Sequence, residues 1–310
     1  MRLHFDVARD KICLMWGGDA VNFTMYANFS RIFKEEGIAR AIEVAKELNF
    51  SSVEFIEWVA DDWESCIKDV ESAREVKREL CQNGLSVACY SVAVTLWEEE
   101  MNPDTVTEAE KALYRYAEIA AAAGSPLLHH TLIMTPVQEN LSFDEALRCI
   151  VPAAIRVAKY AYSLGVRCIY EPQGRYFNGI ERFGALYRAI KAECPYVGVC
   201  GDAGNLLYVD ESPVEFIRTY RNDILHVHIK DCAPVEMRED IPEWSISSGG
   251  VPYVDCVVGT GCIDLEACLT LLKEVGYHGA FGFENGPVEE HADGVRAGRA
   301  ILKKIFDEGC

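Results

Sequence analysis

Short apolar runs alternate with longer amphipathic segments through most of the chain. The runs with strand character span residues 52–57, 85–95, 127–133, 166–171, 197–202, 224–230 and 280–284, and a first strand is expected within residues 3–15. Between them, apolar residues recur at three- and four-residue spacing, which is typical of helices that bury one face. These helical segments are 38–48, 70–80, 105–123, 143–163, 183–192, 213–220 and 265–275.

Strands that alternate with helices favour a parallel sheet, because parallel neighbours need a long crossover connection. Eight such units in 310 residues predict an α/β fold, a (β/α)₈ TIM barrel that forms a single domain over residues 1–310. The main alternative is a doubly wound open sheet, but no G-x-G-x-x-G follows the first strand. Two connections, 17–34 after the first strand and 231–263 after the seventh, are long, and we expect them to shape the substrate pocket.

The composition argues against several classes of protein. The formal net charge of −19 opposes binding to nucleic acid or to an anionic membrane surface. No apolar run reaches the roughly 20 residues of a spanning helix, and the first residues lack the pattern of a signal peptide. The 13 cysteines form no C-x-x-C pair, so we interpret them as reduced thiols and expect a cytoplasmic protein.

Metal-competent side chains fall at the ends of four consecutive predicted barrel strands. Glu171 ends the fifth strand, Asp202 the sixth and Glu284 the eighth. In the seventh strand, His226 and His228 are two residues apart and therefore share a face. Because catalytic residues of such barrels lie at the carboxyl ends of the strands, we expect these side chains to meet at the barrel mouth.

Three carboxylates that are buried close together need a cation, because desolvation and mutual repulsion would otherwise be very unfavourable. Singly, each residue has an ordinary structural explanation, since a glutamate after a strand often begins a solvated loop. The joint pattern is what favours one divalent metal. Carboxylates with one imidazole suit Mn²⁺, our first choice, or alternatively Mg²⁺ or Co²⁺, better than structural zinc, which prefers sulfur ligands.

Several segments of the chain carry a resemblance to a known family. They are SSVEFIEWV, VRCIYEPQG, VGVCGDAGNLL, ILHVHIKD and VVGTGCIDLEACLTLLKEVGYHGAFGFE. With these segments, over residues 41–284, the chain resembles the xylose-isomerase-like barrel superfamily, a group of sugar-phosphate isomerases and epimerases with endonuclease IV relatives. The resemblance implies four metal ligands, which are Glu171, Asp202, His228 and Glu284.

One position departs from the pattern of this superfamily. Where members often carry a substrate-contacting histidine three residues after the metal aspartate, this chain has Asn205, which cannot shuttle a proton. The pair His129-His130 ends the fourth strand, and by alternation one of the two faces the pocket and the other the helices. The candidates for contacts with the substrate are Asn205, Arg175, Lys230, Trp16, Trp97 and His226.

The resemblance implies a metal-dependent sugar isomerase or epimerase. The metal would polarise the carbonyl of an unphosphorylated sugar-like substrate, and a base would remove the neighbouring proton to give a metal-stabilised enediolate. The base is Glu171 or Glu284, or alternatively His129 or His130. Expulsion of a group beta to the carbanion gives the alternative function, a lyase that cleaves 3-oxo-C-glycosides together with a small β subunit, as C-glycoside deglycosidases do. We expect an oligomer in either case.

Two rival functions come from other classes of protein. An endonuclease IV-like repair enzyme needs a basic groove for DNA, which the charge of −19 opposes. A non-catalytic barrel that only binds a partner predicts a degraded metal site, whereas all four positions of that site are intact.

Overall fold

The structure is a computed structural model that describes residues 21–59, 64–97, 101–133, 141–174, 176–284 and 288–307. The strands of this part of the chain are β1 (Asn22–Met25), β2 (Ser52–Trp58), β3 (Ser86–Ala93), β4 (Leu127–His130), β5 (Arg167–Tyr170), β6 (Gly198–Asp202), β7 (Ile224–Ile229), β8 (Asp231–Pro234), β9 (Tyr253–Cys256) and β10 (Ala280–Phe283). Its helices are α1 (Ala27–Glu36), α2 (Ile38–Glu47), α3 (Val70–Gln82), α4 (Glu108–Ala123), α5 (Phe143–Ser163), α6 (Ile180–Glu193), α7 (Pro213–Tyr220), α8 (Leu265–Glu274) and α9 (Val288–Asp307).

Strands β1 to β7 and β10 close into a parallel barrel. The order around the barrel is β1-β10-β7-β6-β5-β4-β3-β2, and β1 pairs with β10 on one side and with β2 on the other. At least one helix lies between each barrel strand and the next in the sequence. The predicted (β/α)₈ barrel is therefore confirmed, and so are the strands and helices predicted from residue 38 onward.

The first barrel strand was predicted at the wrong place. It is β1 at Asn22–Met25, whereas residues 3–15 lie outside the described part of the chain. The prediction of a long loop over residues 17–34 is also wrong, because the described part of this range contains β1 and most of α1. Polar residues occupy buried positions of β1: Asn22 Oδ1 accepts hydrogen bonds from Ser51 and Ser52, and Thr24 bonds to Ser52. This polar pairing hides the apolar pattern that would mark a strand.

The connection after β7 is long, as predicted. It contains the antiparallel pair β8–β9 and a 3₁₀ turn at Glu243–Ser245. The Asp231 carboxylate fixes its return to the barrel by accepting hydrogen bonds from the backbone N–H groups of Gly259 (3.0 Å), Gly261 (2.8 Å) and Ile263 (3.3 Å). The glycines of this turn therefore bind a carboxylate of the protein itself.

The barrel interior is layered by strand alternation. A small apolar cluster, separate from the main core between barrel and helices, consists of Cys89, Leu127, Ile169 and Cys200. Two residues further along each of the same strands stand Ser91, His129, Glu171 and Asp202. Because residues two apart share a face of a strand, these four polar side chains form the next layer toward the mouth.

Two expectations from composition concern membranes and thiols. In the described ranges, no helix has the length and apolar character needed to cross a bilayer. The cysteines in those ranges are free, and most of them are buried. This agrees with their interpretation as reduced residues that fill the core.

Candidate functional site

Four side chains converge at the carboxyl end of the barrel. One ligand atom from each of Glu171, Asp202, His228 and Glu284 lies within 4.8 Å of the others. Their strands β5, β6, β7 and β10 are consecutive neighbours around the barrel, and this order brings together residues that are far apart in the sequence. We call these four residues the acidic cluster. It contains the same four residues that the sequence suggested as metal ligands.

The imidazole of His228 lies between two carboxylates. Its Nδ1 is 2.8 Å from Glu171 Oε1 and 3.5 Å from Glu284 Oε2. On the other side of the ring, its Nε2 is 3.1 Å from Glu54 Oε1. An ionised carboxylate only accepts hydrogen bonds, so Glu54 favours a proton on Nε2 and Glu171 favours one on Nδ1, the atom that faces the cluster.

The electrostatics of the acidic cluster show an excess of negative charge. Partial burial raises the pKa of Glu284 to about 7; the nearby charges of Asp202 and Glu171 add to this rise, and Lys230 and His228 oppose it. Burial likewise raises the pKa of Glu171. For Asp202, burial acts in the same direction, but Lys230, His228 and the N–H of Asn205 together outweigh it and lower the pKa.

A divalent cation fits this arrangement. The donor set is three carboxylates and one imidazole nitrogen, all from elements that end at the same point, and their surroundings raise the pKa values of Glu171 and Glu284. A bound cation removes the cost of ionising them together. Three carboxylates with a single imidazole fit Mn²⁺, Mg²⁺ or Co²⁺, because the four residues of the cluster include no cysteine sulfur.

Lys230 and Asn205 support Asp202. The Nζ atom of Lys230 is 2.9 Å from Asp202 Oδ2, donates to Asn205 Oδ1 at 2.8 Å and lies 3.4 Å from Glu284 Oε1. The backbone N–H of Asn205 donates to Asp202 Oδ1 at 3.0 Å. A Cβ at Gly204 would lie 2.6 Å from Lys230 Cε, so a glycine is needed there for the lysine to reach the cluster.

The two adjacent histidines face opposite sides of the sheet, as alternation predicts. His129 faces the barrel interior, with Nδ1 at 3.1 Å from Ser91 Oγ and Nε2 at 3.6 Å from Glu171 Oε2. Burial, followed by the neighbouring His228, lowers the pKa of His129 to about 3.

His130 turns toward the helix layer and lies outside the acidic cluster. Its ring packs edge-on against Tyr170, with 5.2 Å between the centroids, and its Nδ1 bonds to the carbonyl of Thr131 at 2.9 Å. Burial lowers its pKa to about 4. One edge of His130 borders a shallow cleft beside Glu171, which is also lined by Gln173 and Tyr176.

Two of the predicted substrate contacts, Trp16 and Arg175, lie outside the described residues. Trp97 is partly buried against the core. His226 lies one layer below the cluster, where its Nε2 donates to Glu54 Oε2 at 2.7 Å. His226 therefore contacts a buried carboxylate, and the acidic cluster does not include it.

Glu54, Ser91 and Tyr26 are residues of this site that sequence reasoning missed. Glu54 lies in β2 and is fully buried. Burial alone would raise its pKa, but His226 and His228 outweigh burial and hold it well below the ordinary value. The Tyr26 ring stacks on His228 with 4.5 Å between centroids. The available signal for Glu54 was a charged residue within the apolar run of strand β2.

Comparisons with known proteins agree with this geometry. The profile of the family described as "Xylose isomerase-like TIM barrel" matches residues 42–305. An inosose dehydratase of Clostridium botulinum is 35% identical over 213 residues, which are 65% of this chain and 71% of that protein. This relative is an enzyme, and the prediction that the chain is an enzyme is confirmed.

Solved structures share the fold at low identity. The structure of an L-ribulose 3-epimerase superposes with a TM-score of 0.68 at 14% identity and covers 93% of this chain and 97% of its own. An IOLI protein with a bound zinc atom gives a TM-score of 0.66 at 14% identity, with 93% and 99% covered. At such identity these likenesses describe the barrel and carry no activity over to this chain.

Proposed function

Because this chain belongs to the xylose isomerase-like TIM barrel family, we propose that it is a metal-dependent dehydratase of a small polyhydroxy ketone. It removes the proton next to the carbonyl and eliminates the hydroxyl group of the following carbon as water. The observation that carries the proposal is the convergence of Glu171, Asp202, His228 and Glu284, whose ligand atoms lie within 4.8 Å of one another.

A divalent cation held by these four residues, Mn²⁺ as first choice, would supply Lewis-acid polarisation of the substrate carbonyl. The protein fixes the positions of the ligand atoms. Glu54 fixes the His228 ring from behind, and Lys230 with the backbone of Asn205 fixes Asp202. Such supporting contacts keep the ligands in one geometry before the substrate arrives.

The exposure of the side chains indicates where the substrate enters. Asp202 and His228 have no exposed side-chain surface, and Glu171 has 4%, whereas Glu284 has 34%. The cleft beside Glu171 is lined by residues that end or follow β4 and β5, at the same end of the barrel. Strands β6 and β7 lie between the strands that carry Glu284 and Glu171, so these two glutamates are on opposite sides of the cluster. A small ketone therefore contacts the cluster between them.

The proton transfer needs one base beside the carbon that is acidified. Glu284 and Glu171 flank the substrate on two sides, and His129 Nε2 lies 3.6 Å from Glu171 Oε2 as the alternative base. When the base takes the proton, the C–H electron pair forms a carbon–carbon double bond. The carbon–oxygen bond at the next carbon breaks, and the leaving hydroxide takes a proton to become water.

Epimerisation and isomerisation share the first half of this reaction, and they are the other outcomes that the cluster supports chemically. We favour elimination because the relative at 35% identity is an inosose dehydratase. An inosose is a cyclic polyhydroxy ketone, so a ketone of this class is the substrate we propose. The L-ribulose 3-epimerase shares only 14% sequence identity with this chain, so that comparison supports the fold alone.

Cleavage of 3-oxo-C-glycosides with a small β subunit remains the alternative prediction. It uses the same removal of a proton next to a carbonyl, with a carbon leaving group in place of hydroxide. An oligomeric state, with or without such a subunit, also remains a prediction. The cleavage is tested by the 3-oxo-C-glycoside in the experiment that follows.

The test is incubation of the Mn²⁺-loaded protein in D₂O with a panel of inososes, open keto-sugars and a 3-oxo-C-glycoside. Proton NMR reports exchange at the acidified carbon, and mass spectrometry reports the loss of water. We expect exchange and dehydration with an inosose. Exchange that yields only an epimer would contradict the elimination, and no exchange with any ketone would contradict the proposal as a whole.

Two variants locate the chemistry in that assay. Glu284→Gln keeps the shape of the side chain and is expected to abolish exchange. Metal analysis of the variant measures how much cation it still binds. Glu274→Gln, on the exposed end of α8, is the matched control and is expected to react like the wild type. Unchanged turnover in a folded Glu284→Gln protein would remove the glutamate from the mechanism.

A further inference from the structure

Ser91 lies inside the barrel between a buried carboxylate and a buried imidazole. Its Oγ is 2.5 Å from Glu54 Oε1 and 3.1 Å from His129 Nδ1. The register of the sheet produces this contact, because Ser91 in β3 pairs directly with His129 in β4. All three residues are buried, with at most 3% of the surface of any of them exposed.

The protons of this chain of contacts can be assigned from the number of donors. A hydroxyl group has one proton, and an ionised carboxylate accepts only, so Ser91 donates its proton to Glu54. Toward His129, Ser91 Oγ can then only accept. The proton of the neutral His129 ring must therefore be on Nδ1. The remaining close contact of Ser91 Oγ, with Cys89 Sγ at 3.8 Å, is too weak to change this assignment.

The other nitrogen of His129 faces the acidic cluster without a partner. Among the described residues, Nε2 is buried and makes no hydrogen bond. Glu171 Oε2 is 3.6 Å away, which is too long for the hydrogen bond that a protonated Nε2 would make. The lone pair of Nε2 therefore points to the side of the cluster where the ketone is proposed to bind.

We propose that Ser91, held by Glu54, is a positioning residue that fixes His129 as the Nδ1–H tautomer, so that Nε2 accepts the proton of a substrate hydroxyl in a hydrogen bond. This inference rests on the proposed function and adds to it a polar contact that selects hydroxylated ketones. Ser91 acts through His129, and His129 is the residue that touches the substrate.

Glu54 has two tasks in this arrangement, and this determines the choice of variant. The same carboxylate accepts from Ser91 Oγ and from His228 Nε2, so a change at Glu54 disturbs the metal ligand together with His129. A change at Ser91 leaves the contact between Glu54 and His228 in place. Ser91→Ala therefore isolates the effect on His129.

The direct test is ¹⁵N NMR of histidine-labelled, Mg²⁺-loaded protein, because the two tautomers have distinct long-range proton–nitrogen correlations. His129→Gln assigns the signal. We expect the Nδ1–H form in the wild type and in Ser91→Thr, which keeps the hydroxyl, and a mixture or the Nε2–H form in Ser91→Ala. The Nε2–H form in the wild type, or an unchanged tautomer in Ser91→Ala, would overturn the inference.

Kinetics with the ketone that reacts in the panel provide the second readout. Ser91→Ala is expected to lower kcat/KM roughly 10–100-fold, the usual effect of removing a supporting contact, with Mg²⁺ affinity unchanged. Ser52→Ala, a buried strand serine that bonds to Asn22, is the control expected to keep full activity. Full activity of Ser91→Ala would also overturn the inference.

The two proposals fail in different ways. The tautomer is measured without any substrate, so a wild type that turns over no ketone contradicts the dehydratase while its NMR spectrum still decides the role of Ser91. Conversely, a reactive wild type with the Nε2–H tautomer leaves the dehydratase standing and removes Ser91 from it.

Discussion

The Nε2 atom of His228 lies 3.1 Å from Glu54 Oε1, on the side of the ring opposite to the acidic cluster. A carboxylate in this position orients a ligating imidazole and makes it a better donor. Glu54→Gln removes the charge and is expected to weaken Mn²⁺ binding roughly 10–100-fold in calorimetric titration. Glu47→Gln at the end of α2 is the exposed control, and equal affinity of both variants would contradict the role of Glu54.

The position of each site residue in its strand determines whether the sequence alone could predict its place in the site. Glu171, Asp202 and Glu284 each end an apolar strand, so their meeting at the mouth follows from the barrel. Glu54 lies 172 residues from His226, and only closure of the barrel brings their strands to the same interior layer. Nothing in the local pattern of β2 shows which partner its buried charge will have.

The choice between His129 and His130 required the register of the sheet. Alternation predicts that the two rings face opposite sides, but either assignment satisfies the pattern. The pairing of Ser91 with His129 determines that His129 is the inner residue. The first strand was missed for a related reason, because Asn22 and Thr24 use buried positions for hydrogen bonds across to β2 and its preceding turn.

Cation binding is expected to stabilise the folded chain. A ligand that binds only the folded state adds about 2.7 kcal/mol at a concentration 100 times its Kd. Thermal unfolding followed by circular dichroism should therefore shift to a higher Tm with Mn²⁺. The shift should be lost in Asp202→Asn and kept in Asp144→Asn, a change in the first turn of α5. Equal shifts in the two variants would indicate that Mn²⁺ binds elsewhere.

Lys230 neutralises part of the acidic cluster when no cation is present. Removing one partner of a buried ion pair costs about 3–5 kcal/mol, because the other charge is left uncompensated. Lys230→Met should therefore lower the free energy of unfolding in EDTA by about this amount, and by less with Mn²⁺, since the cation compensates the same carboxylates. Urea unfolding in both conditions measures the difference.

Lys191→Met is the matched control for that experiment. Lys191 pairs with Asp223, and about a third of each side chain is exposed. Such a solvated pair contributes about 0.2–1 kcal/mol and has no link to the cluster. Its effect should be small and the same in EDTA and Mn²⁺. If Lys230→Met were equally insensitive to Mn²⁺, the cation and the lysine would not share the carboxylates.

Asp231 anchors the long connection between β7 and α8 at the residue after Lys230. Its carboxylate accepts from the N–H groups of Gly259 and Gly261 at 3.0 and 2.8 Å, and a Cβ at Gly261 would lie 2.1 Å from Asp231 Oδ1. Asp231→Ala leaves these donors unpaired and is expected to destabilise the protein by about 1–3 kcal/mol.

Gly261→Ala is expected to act in the same direction through the steric clash with that carboxylate, and both changes should speed proteolysis within residues 231–263. Asp240→Asn, an exposed position of the same connection, is the control expected to leave cleavage unchanged. Because the two changes disturb one contact, their effects on the free energy of unfolding should be less than additive in the double variant. Strictly additive effects would mean that Gly261 and Asp231 stabilise the turn independently.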